Sequence, residues 1–577
     1  MISGLTKTSS ILSHALSDDS HVFLLYFCGI RSRLHNRLLV KSVIANSTPI
    51  NLSKSACILN CGASREASWR IEGDEIEKRW LSVGSSAVTG LLCRHTSEKP
   101  VITWLVELTL ASSSTGAPVK GTSMKLNCPA NSIVEAGKQS VKIDDSSNGF
   151  LDVYYLAISP TAHDQKAAYQ DAACLSKHLD PVNYPGFPLR PVSAQPVSPG
   201  EVLLVGHRGL GAETADAPRD CQWPENTLLS FLKAHQLGLP MVELDIQPMR
   251  DDSDFVLYHN FNLRTTEVTQ STTHQSSCGC PKYQVDLFDE SKVNKRTPNL
   301  FPTLSRDDIE NILTETHAVD CTHASNVHTG HEALVISALA QTDIGAPLEC
   351  NRASPLARYL PLFSDMLKLV PNELALDVEV KYPVETPLSA FRLIHEQGQS
   401  EDSLAGYGCP YDYFYPINKY ADNLLNMLWK LGRNRRIILS SFNPDMCLAL
   451  KLKQSTYPVL FISRAGLDTS DSIDWAHTLD PRHVSALSSA CWAHLANLDG
   501  VVLHSCCLQA SPSGTDESTR ELLSFLSDNR LSCIPYGPGI STADYRKYAA
   551  RIGLTGVCIN DVVDLAKTED LRWTPAE

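Results

Sequence analysis

The 577-residue chain is 43% hydrophobic, and its formal net charge is −14. That length holds two to four domains, fewer if one is a large barrel, and the acidic balance argues against a nucleic-acid surface. No apolar stretch is long enough for a membrane span, and 18 scattered cysteines without a disulfide framework point to a reducing compartment.

In chain order, "HVFLLYFCGI" (21–30) follows an acidic, Ser-rich start. It is expected as a buried strand rather than a signal peptide, which places the chain in the cytoplasm. "VITWLVELTLA" (101–111) and "FLDVYYLAI" (150–158) predict strands, so residues 1–183 read as a β-rich accessory region. Trp69, Trp80 and Trp104 are read as core or edge packing, with a ligand platform as the alternative. The five prolines of "YPGFPLRPVSAQPVSPG" then exclude a helix or central strand and predict a linker over 184–200.

Beyond the linker, short apolar runs alternate with helical patterns such as "ENTLLSFLKAHQLG" and "YADNLLNMLWKLG". The runs fall at 202–206, 241–246, 255–258, 374–380, 436–440, 458–462, 500–503, 531–535 and 556–559. Only "PMRDDSD" separates the second from the third, too short for a parallel crossover. Those two runs must pair as a hairpin, which leaves eight parallel strands and predicts an α/β TIM barrel, a doubly wound sheet being the alternative. The residues from 263 to 356 form a long insertion. Its His274, Cys278, Cys280, His317, Cys321, His323, His328 and His331 match no zinc-finger spacing, and a partly disordered segment is expected.

Barrel sites lie at the C-terminal strand ends. There the runs give way to His207-Arg208, to Glu243 and Asp245, to His259, to Asp377, Glu379 and Lys381, and to Ser440-Ser441-Phe442. Glu243 and Asp245, two apart on a strand, share a face, an arrangement that favours a cation between them. With Glu379 they make an oxygen site suited to one divalent cation, Mg²⁺ or Ca²⁺. A salt-bridge network through Arg208 and Lys381 is the competing reading. Asp377 shares the face of Glu379 one layer deeper, so Glu379 is preferred as ligand. His207 and His259 form a plausible acid/base pair. Arg208 and Lys381 suit a phosphate.

The set "GHRG…PENT…VELDIQ…VLYHN…LDVEVK…SSF" resembles the glycerophosphodiester phosphodiesterase family over residues 202–565, most closely its animal multi-domain glycerophosphocholine phosphodiesterases. The resemblance implies a barrel over 201–566 with a small insertion after strand two, followed by a tail over 567–577. It implies a divalent metal on Glu243, Asp245 and Glu379, acid/base roles for His207 and His259, and phosphate contacts from Arg208 and Lys381. Glu225 would brace Arg208. A substrate hydroxyl would attack the phosphate, the alcohol would leave, and a cyclic phosphate would be hydrolysed to glycerol 3-phosphate. Three positions depart from the family pattern. Asn260 follows His259 where Asp is usual, Tyr536 stands where Trp is frequent and can still wall a headgroup, and the late Thr-Asp motif reads Asn560-Asp561. Animal relatives carry an N-terminal starch-binding module, so residues 1–183 are a candidate degenerate carbohydrate-binding module and a glycan is a candidate partner. The alternatives are a phospholipase D-like enzyme on lysophospholipid or sphingolipid, and a non-catalytic glycan-binding or scaffold protein.

Overall fold

The computed structural model describes residues 20–31, 36–51, 56–61, 80–82, 88–97, 99–112, 118–130, 135–144, 149–161, 189–212, 223–259, 305, 361–382, 415–432, 434–465, 481–508, 516–567 and 571. Asn260, Trp69 and almost all of the 263–356 segment lie outside them, as does the side chain of Trp80.

Two antiparallel five-stranded sheets come first. One orders β4 (Ala56–Cys61), β6 (Val88–Thr96), β1 (Ser20–Arg31), β10 (Gly149–Ile158) and β9 (Ala136–Asp144). The other orders β3 (Thr48–Pro49), β2 (Asn36–Ala45), β7 (Thr103–Ser112) and β8 (Pro118–Pro129), with β5 (Trp80–Ser82) paired to β2. Alternate residues of β1, β6 and β10 face the second sheet: Phe23, Leu25, Leu91, Cys93, Val153 and Tyr155 share a core with Trp104, Val106 and Leu126. Trp104 is fully buried and stacks on Phe23 at 5.0 Å between ring centroids. It is therefore core packing and not part of an exposed platform.

The intervening residues Val22, Leu24, Leu92, Tyr154, Leu156 and Ile158 belong to the barrel's own core cluster. The described parts of β1, β6 and β10 are thus apolar on both faces, which is why "VFLL" (22–25) reads as an unbroken apolar run instead of alternating.

The barrel has eight parallel strands. Their order is β18 (Ser532–Tyr536), β17 (Gly500–His504), β16 (Val459–Ser463), β15 (Ile437–Ser441), β14 (Ala375–Val380), β12 (Met241–Pro248), β11 (Leu203–Gly206) and β19 (Gly556–Ile559). The short run β13 (Phe255–Leu257) turns back antiparallel onto β12, as the seven-residue spacing requires. Among the described residues the α-helices are α1 (Leu228–Gln236), α2 (Phe363–Leu369), α3 (Ile417–Leu431), α4 (Pro444–Lys453), α5 (Ala486–Leu495), α6 (Glu517–Asp528), α7 (Ala543–Arg551) and α8 (Val562–Ala566).

The seam between β18 and β19 is closed by a reciprocal pair, Thr555 N to Cys533 O at 3.2 Å and Cys533 N to Thr555 Oγ1 at 2.9 Å. Beneath it runs the proline-rich segment, bound in place. Val192, Ser193 and Val197 donate backbone hydrogen bonds to Leu531, Gly553 and Ala550, and the Arg190 carbonyl accepts from Thr555 Oγ1 at 2.6 Å. Leu189 packs against the barrel interior. Prolines deny this segment a ladder but leave it enough donors and acceptors to cap the N-terminal end of the barrel.

Candidate active site

Inward-facing positions alternate along each strand. In the lower barrel they are apolar: Leu203, Val205, Met241, Ala375, Ile438, Leu460, Ile462, Val502, Ile534 and Cys558 form one cluster. Two residues further toward the C-terminal end the same parity gives His207, Glu243, Asp377, Ser440, Arg464, His504, Tyr536 and Asn560. Asp245, Glu379, Lys381 and Phe442 follow on the same faces. The polar layer therefore starts where the apolar one stops.

After β11 the chain turns sharply. Arg208 has φ +51° and Gly209 φ +102°. A left-handed conformation costs an L-residue about 1–2 kcal/mol. Arg208 is held in it by three contacts. Its N–H donates to Glu243 Oε2 at 2.8 Å, its carbonyl accepts from Asn226 N at 3.0 Å, and Nη1 donates to both Glu225 oxygens at 2.8 and 2.9 Å. Gly209 cannot be replaced easily, since a Cβ would stand 2.3 Å from Ser230 Oγ. Glu225 thus sits against Arg208.

Register places Glu243 beside Asp377 and Asp245 beside Glu379 on adjacent strands β12 and β14. Oxygens of Glu243, Asp245 and Glu379 lie within 4.8 Å of one another, and all three residues are buried. Asp377 instead accepts a hydrogen bond from Ser440 Oγ at 2.6 Å, one layer down. Lys381 Nζ donates to Glu379 at 2.8 Å and lies 3.5 Å from Asp245. Arg208 Nε approaches Asp245 Oδ2 at 3.4 Å. The cation-binding and salt-bridge readings thus describe one cluster, in which the two cations flank the carboxylate trio.

The trio is electrostatically frustrated without a further positive charge. Burial, reinforced by Asp245 and Glu379, pushes the Glu243 carboxyl well above its usual range. Burial acts the same way on Asp245, but Lys381, His259 and Arg208 outweigh it and keep that carboxylate ionised. Burial also opposes the charge on Arg208, yet Glu225, Asp245 and Glu243 hold it firmly protonated. Glu243 Oε1 and Asp245 Oδ1 are buried without a hydrogen-bond partner. Glu243 Oε1, with no partner, and Asp245 Oδ1, with only the Lys381 ammonium at 3.5 Å, together with the Glu379 carboxylate are the donor set of a hard divalent cation, so these residues fit one.

His207 continues the β11 ladder through its N–H to Ile559 O at 3.0 Å. Its ring contacts Asn560 Oδ1 through Nδ1 at 2.7 Å, and Nε2 lies 3.8 Å from Glu243 Oε2. Burial, then the Arg208 charge, pushes the imidazole down to about 4, so it is neutral at pH 7. His259 follows Tyr258, whose N–H donates to Asp245 O at 3.2 Å, and it is near enough to help hold Asp245 ionised. Tyr536 stands edge-on to Phe442 and to His504 across the mouth, with centroids 6.1 and 5.3 Å away. Lys381 lies over Phe442 at 5.9 Å.

Sequence reasoning missed Asn226. It has φ +53°, and its amide clasps Asp245 by donating to Oδ2 at 2.9 Å and accepting from the backbone N at 3.1 Å. Its place inside "PENT" was the available signal. Arg464 and His504 were also missed, though strand parity beyond Ile462 and Val502 places both in the polar layer.

A model of the glycerophosphoryl diester phosphodiesterase family matches residues 207–564. The glycerophosphocholine phosphodiesterase gde1 of Schizosaccharomyces pombe is 27% identical over 475 residues, 80% of this chain and 35% of that protein. A glycerophosphocholine phosphodiesterase of Candida albicans is 27% identical over 378 residues, 64% of this chain and 28% of that one. The one from Rattus norvegicus is 21% identical over 362 residues, 63% of this chain and 44% of that one. The chain spans about a third of the length of the two fungal relatives. A leaning toward the animal proteins is not carried by these identities, which are higher for the fungal pair.

Proposed function

The chain belongs to the glycerophosphoryl diester phosphodiesterase family, and from that membership we propose that it hydrolyses glycerophosphodiesters, glycerophosphocholine foremost, to glycerol 3-phosphate and the free alcohol. The observation that carries this reading is the buried trio Glu243, Asp245 and Glu379, in which Glu243 Oε1 and Asp245 Oδ1 make no hydrogen bond, set between Arg208 and Lys381 at the barrel mouth.

Glu243, Asp245 and Glu379 would hold one divalent cation, Mg²⁺ or Ca²⁺, which when bound polarises a phosphoryl oxygen. Arg208 presents Nη2 to the phosphate, since Nη1 is committed to Glu225 and Nε leans on Asp245. Lys381 adds a second positive charge beside Glu379 and Asp245. His207 and His259 exchange protons with the substrate, neutral His207 taking the proton of the attacking hydroxyl and His259 in its protonated form giving one to the leaving oxygen. Tyr536 and Phe442 wall the far side, where an alkyl or quaternary headgroup leaves.

The test is product release by the purified chain. Glycerophosphocholine should give choline and glycerol 3-phosphate, EDTA should abolish release, and Mg²⁺ or Ca²⁺ should restore it. Headgroup release from lysophosphatidylcholine but not from glycerophosphocholine would move the chain to the phospholipase D-like reading. Full activity after exhaustive chelation would remove the metal from the proposal.

A further inference from the structure

We propose that Asn560 is a positioning residue, which holds the His207 ring with a proton on Nδ1 and so leaves Nε2 as the nitrogen that accepts and releases the proton of the site. The proposal rests on the reading of His207 as a proton-transfer group.

Two groups meet at one atom. Asn560 Oδ1 takes the Ala212 backbone N–H at 3.2 Å and lies 2.7 Å from His207 Nδ1. A backbone N–H can only donate, so the Ala212 contact fixes which end of the Asn560 amide is the oxygen. An amide oxygen carries no proton, so the proton of the second hydrogen bond must sit on His207 Nδ1. Nε2 is 3.8 Å from Glu243 Oε2, on the side of the carboxylate trio but beyond hydrogen-bond reach.

The backbone is built for this contact. His207 N–H donates to Ile559 O at 3.0 Å, which sets the ring beside residue 560. Gly211 has φ +129°, and a Cβ there would stand 1.8 Å from Asn560 O. Only glycine lets residues 211–212 approach closely enough for the Ala212 N–H to orient the amide. A hydroxyl can both donate and accept and so would not select a tautomer, whereas this amide oxygen does.

The experiment is ¹⁵N spectroscopy of the His207 ring in the full chain, without substrate and near neutral pH, with the signals assigned by their loss in His207→Gln. The expected result is a protonated Nδ1 and a bare Nε2. Asn560→Ala should release both tautomers and lower kcat roughly 10²-fold, with KM within about twofold. Asn560→Asp, which keeps an acceptor for both N–H groups, should restore the tautomer and most of kcat. A wild-type proton on Nε2, or a spectrum unchanged in Asn560→Ala, overturns the proposal. Should Asn560→Ala fail to fold, the wild-type and Asn560→Asp spectra still decide. If the tautomer is as expected but His207→Ala keeps its turnover, the positioning stands and the proton-transfer role falls.

Discussion

Arg208 shows how much one side chain can be asked to do. It occupies a left-handed backbone position, donates its N–H to one proposed metal ligand, leans on a second, and grips Glu225. Arg208 and Glu225 keep side-chain exposures of only 12% and 13%, so little water can compensate if the pair is broken. Glu225→Gln should therefore cost up to about 3 kcal/mol, the lower bound for breaking a fully buried pair, because Asp245 and Glu243 remain to share the charge. Urea unfolding of the metal-free chain measures it. An unchanged midpoint with lost turnover would give Glu225 a direct role toward substrate. At this scale the sequence was informative about charge but silent about amides. Glu243, Asp245 and Glu379 could be paired by strand parity alone, because like charges on one face demand an explanation. Asn226 and Asn560 carry no charge that calls for a partner, and their roles depend on backbone turns that parity does not describe.

At the scale of elements, alternation explains most of what could be foreseen. The eight parallel strands and the β12–β13 hairpin followed from run spacing, and the polar layer follows from counting two residues past each inward apolar one. The seam was not legible. Thr555 precedes β19 and reads as an ordinary turn residue, yet its hydroxyl accepts from Cys533 N and donates to Arg190 O. Thr555→Val keeps the shape and leaves the buried Cys533 N–H without its acceptor, while the Arg190 carbonyl keeps the Ser532 hydroxyl at 3.1 Å. It should lower stability by about 1–3 kcal/mol. Thermal or urea denaturation would show this, and a neutral result would mean that the backbone hydrogen bonds and packing hold the seam and the proline-rich segment without the hydroxyl. The composition of that segment showed what it could not be, a helix or a central strand. It did not show that the segment has a fixed seat under the barrel.

The whole molecule is organised by one sheet with two apolar faces. Polar pins supplement the contact. Glu135 accepts from both the backbone N and Nδ2 of Asn418 at the start of α3, at 3.0 and 2.6 Å, and Lys453 Nζ donates to Ser159 O at 2.7 Å. Burial raises the Glu135 carboxyl above its ordinary value, against the Asn418 hydrogen bonds and the Lys453 charge. The sign follows directly: a folded-state pKa above the unfolded one means that the folded state holds its proton longer. Its contribution is full below about pH 4.3 and is lost as pH rises through the raised value. Glu135→Gln, which keeps an acceptor and has no charge to desolvate, should flatten the fall of Tm with pH above that range. Parallel Tm profiles for the two proteins would exclude Glu135 as a source of that slope.

A wall common to two rooms cannot be removed without opening both. Val22, Leu24 and Leu156 serve the barrel, while Phe23, Leu25 and Tyr155 on the same strands serve the sandwich. Cooperativity therefore spans the chain, and calorimetry should record one unfolding transition instead of two. Covalent continuity is then less important than contact. If the two parts are expressed as separate polypeptides divided within 162–188, each presents the surface that the other lacks, and they should recombine into an active heterodimer whose activity rises with concentration until the association saturates. The same arithmetic runs in reverse for the barrel part alone, which would expose the helices that β1, β6 and β10 now cover and would precipitate at concentrations where the intact chain stays dispersed.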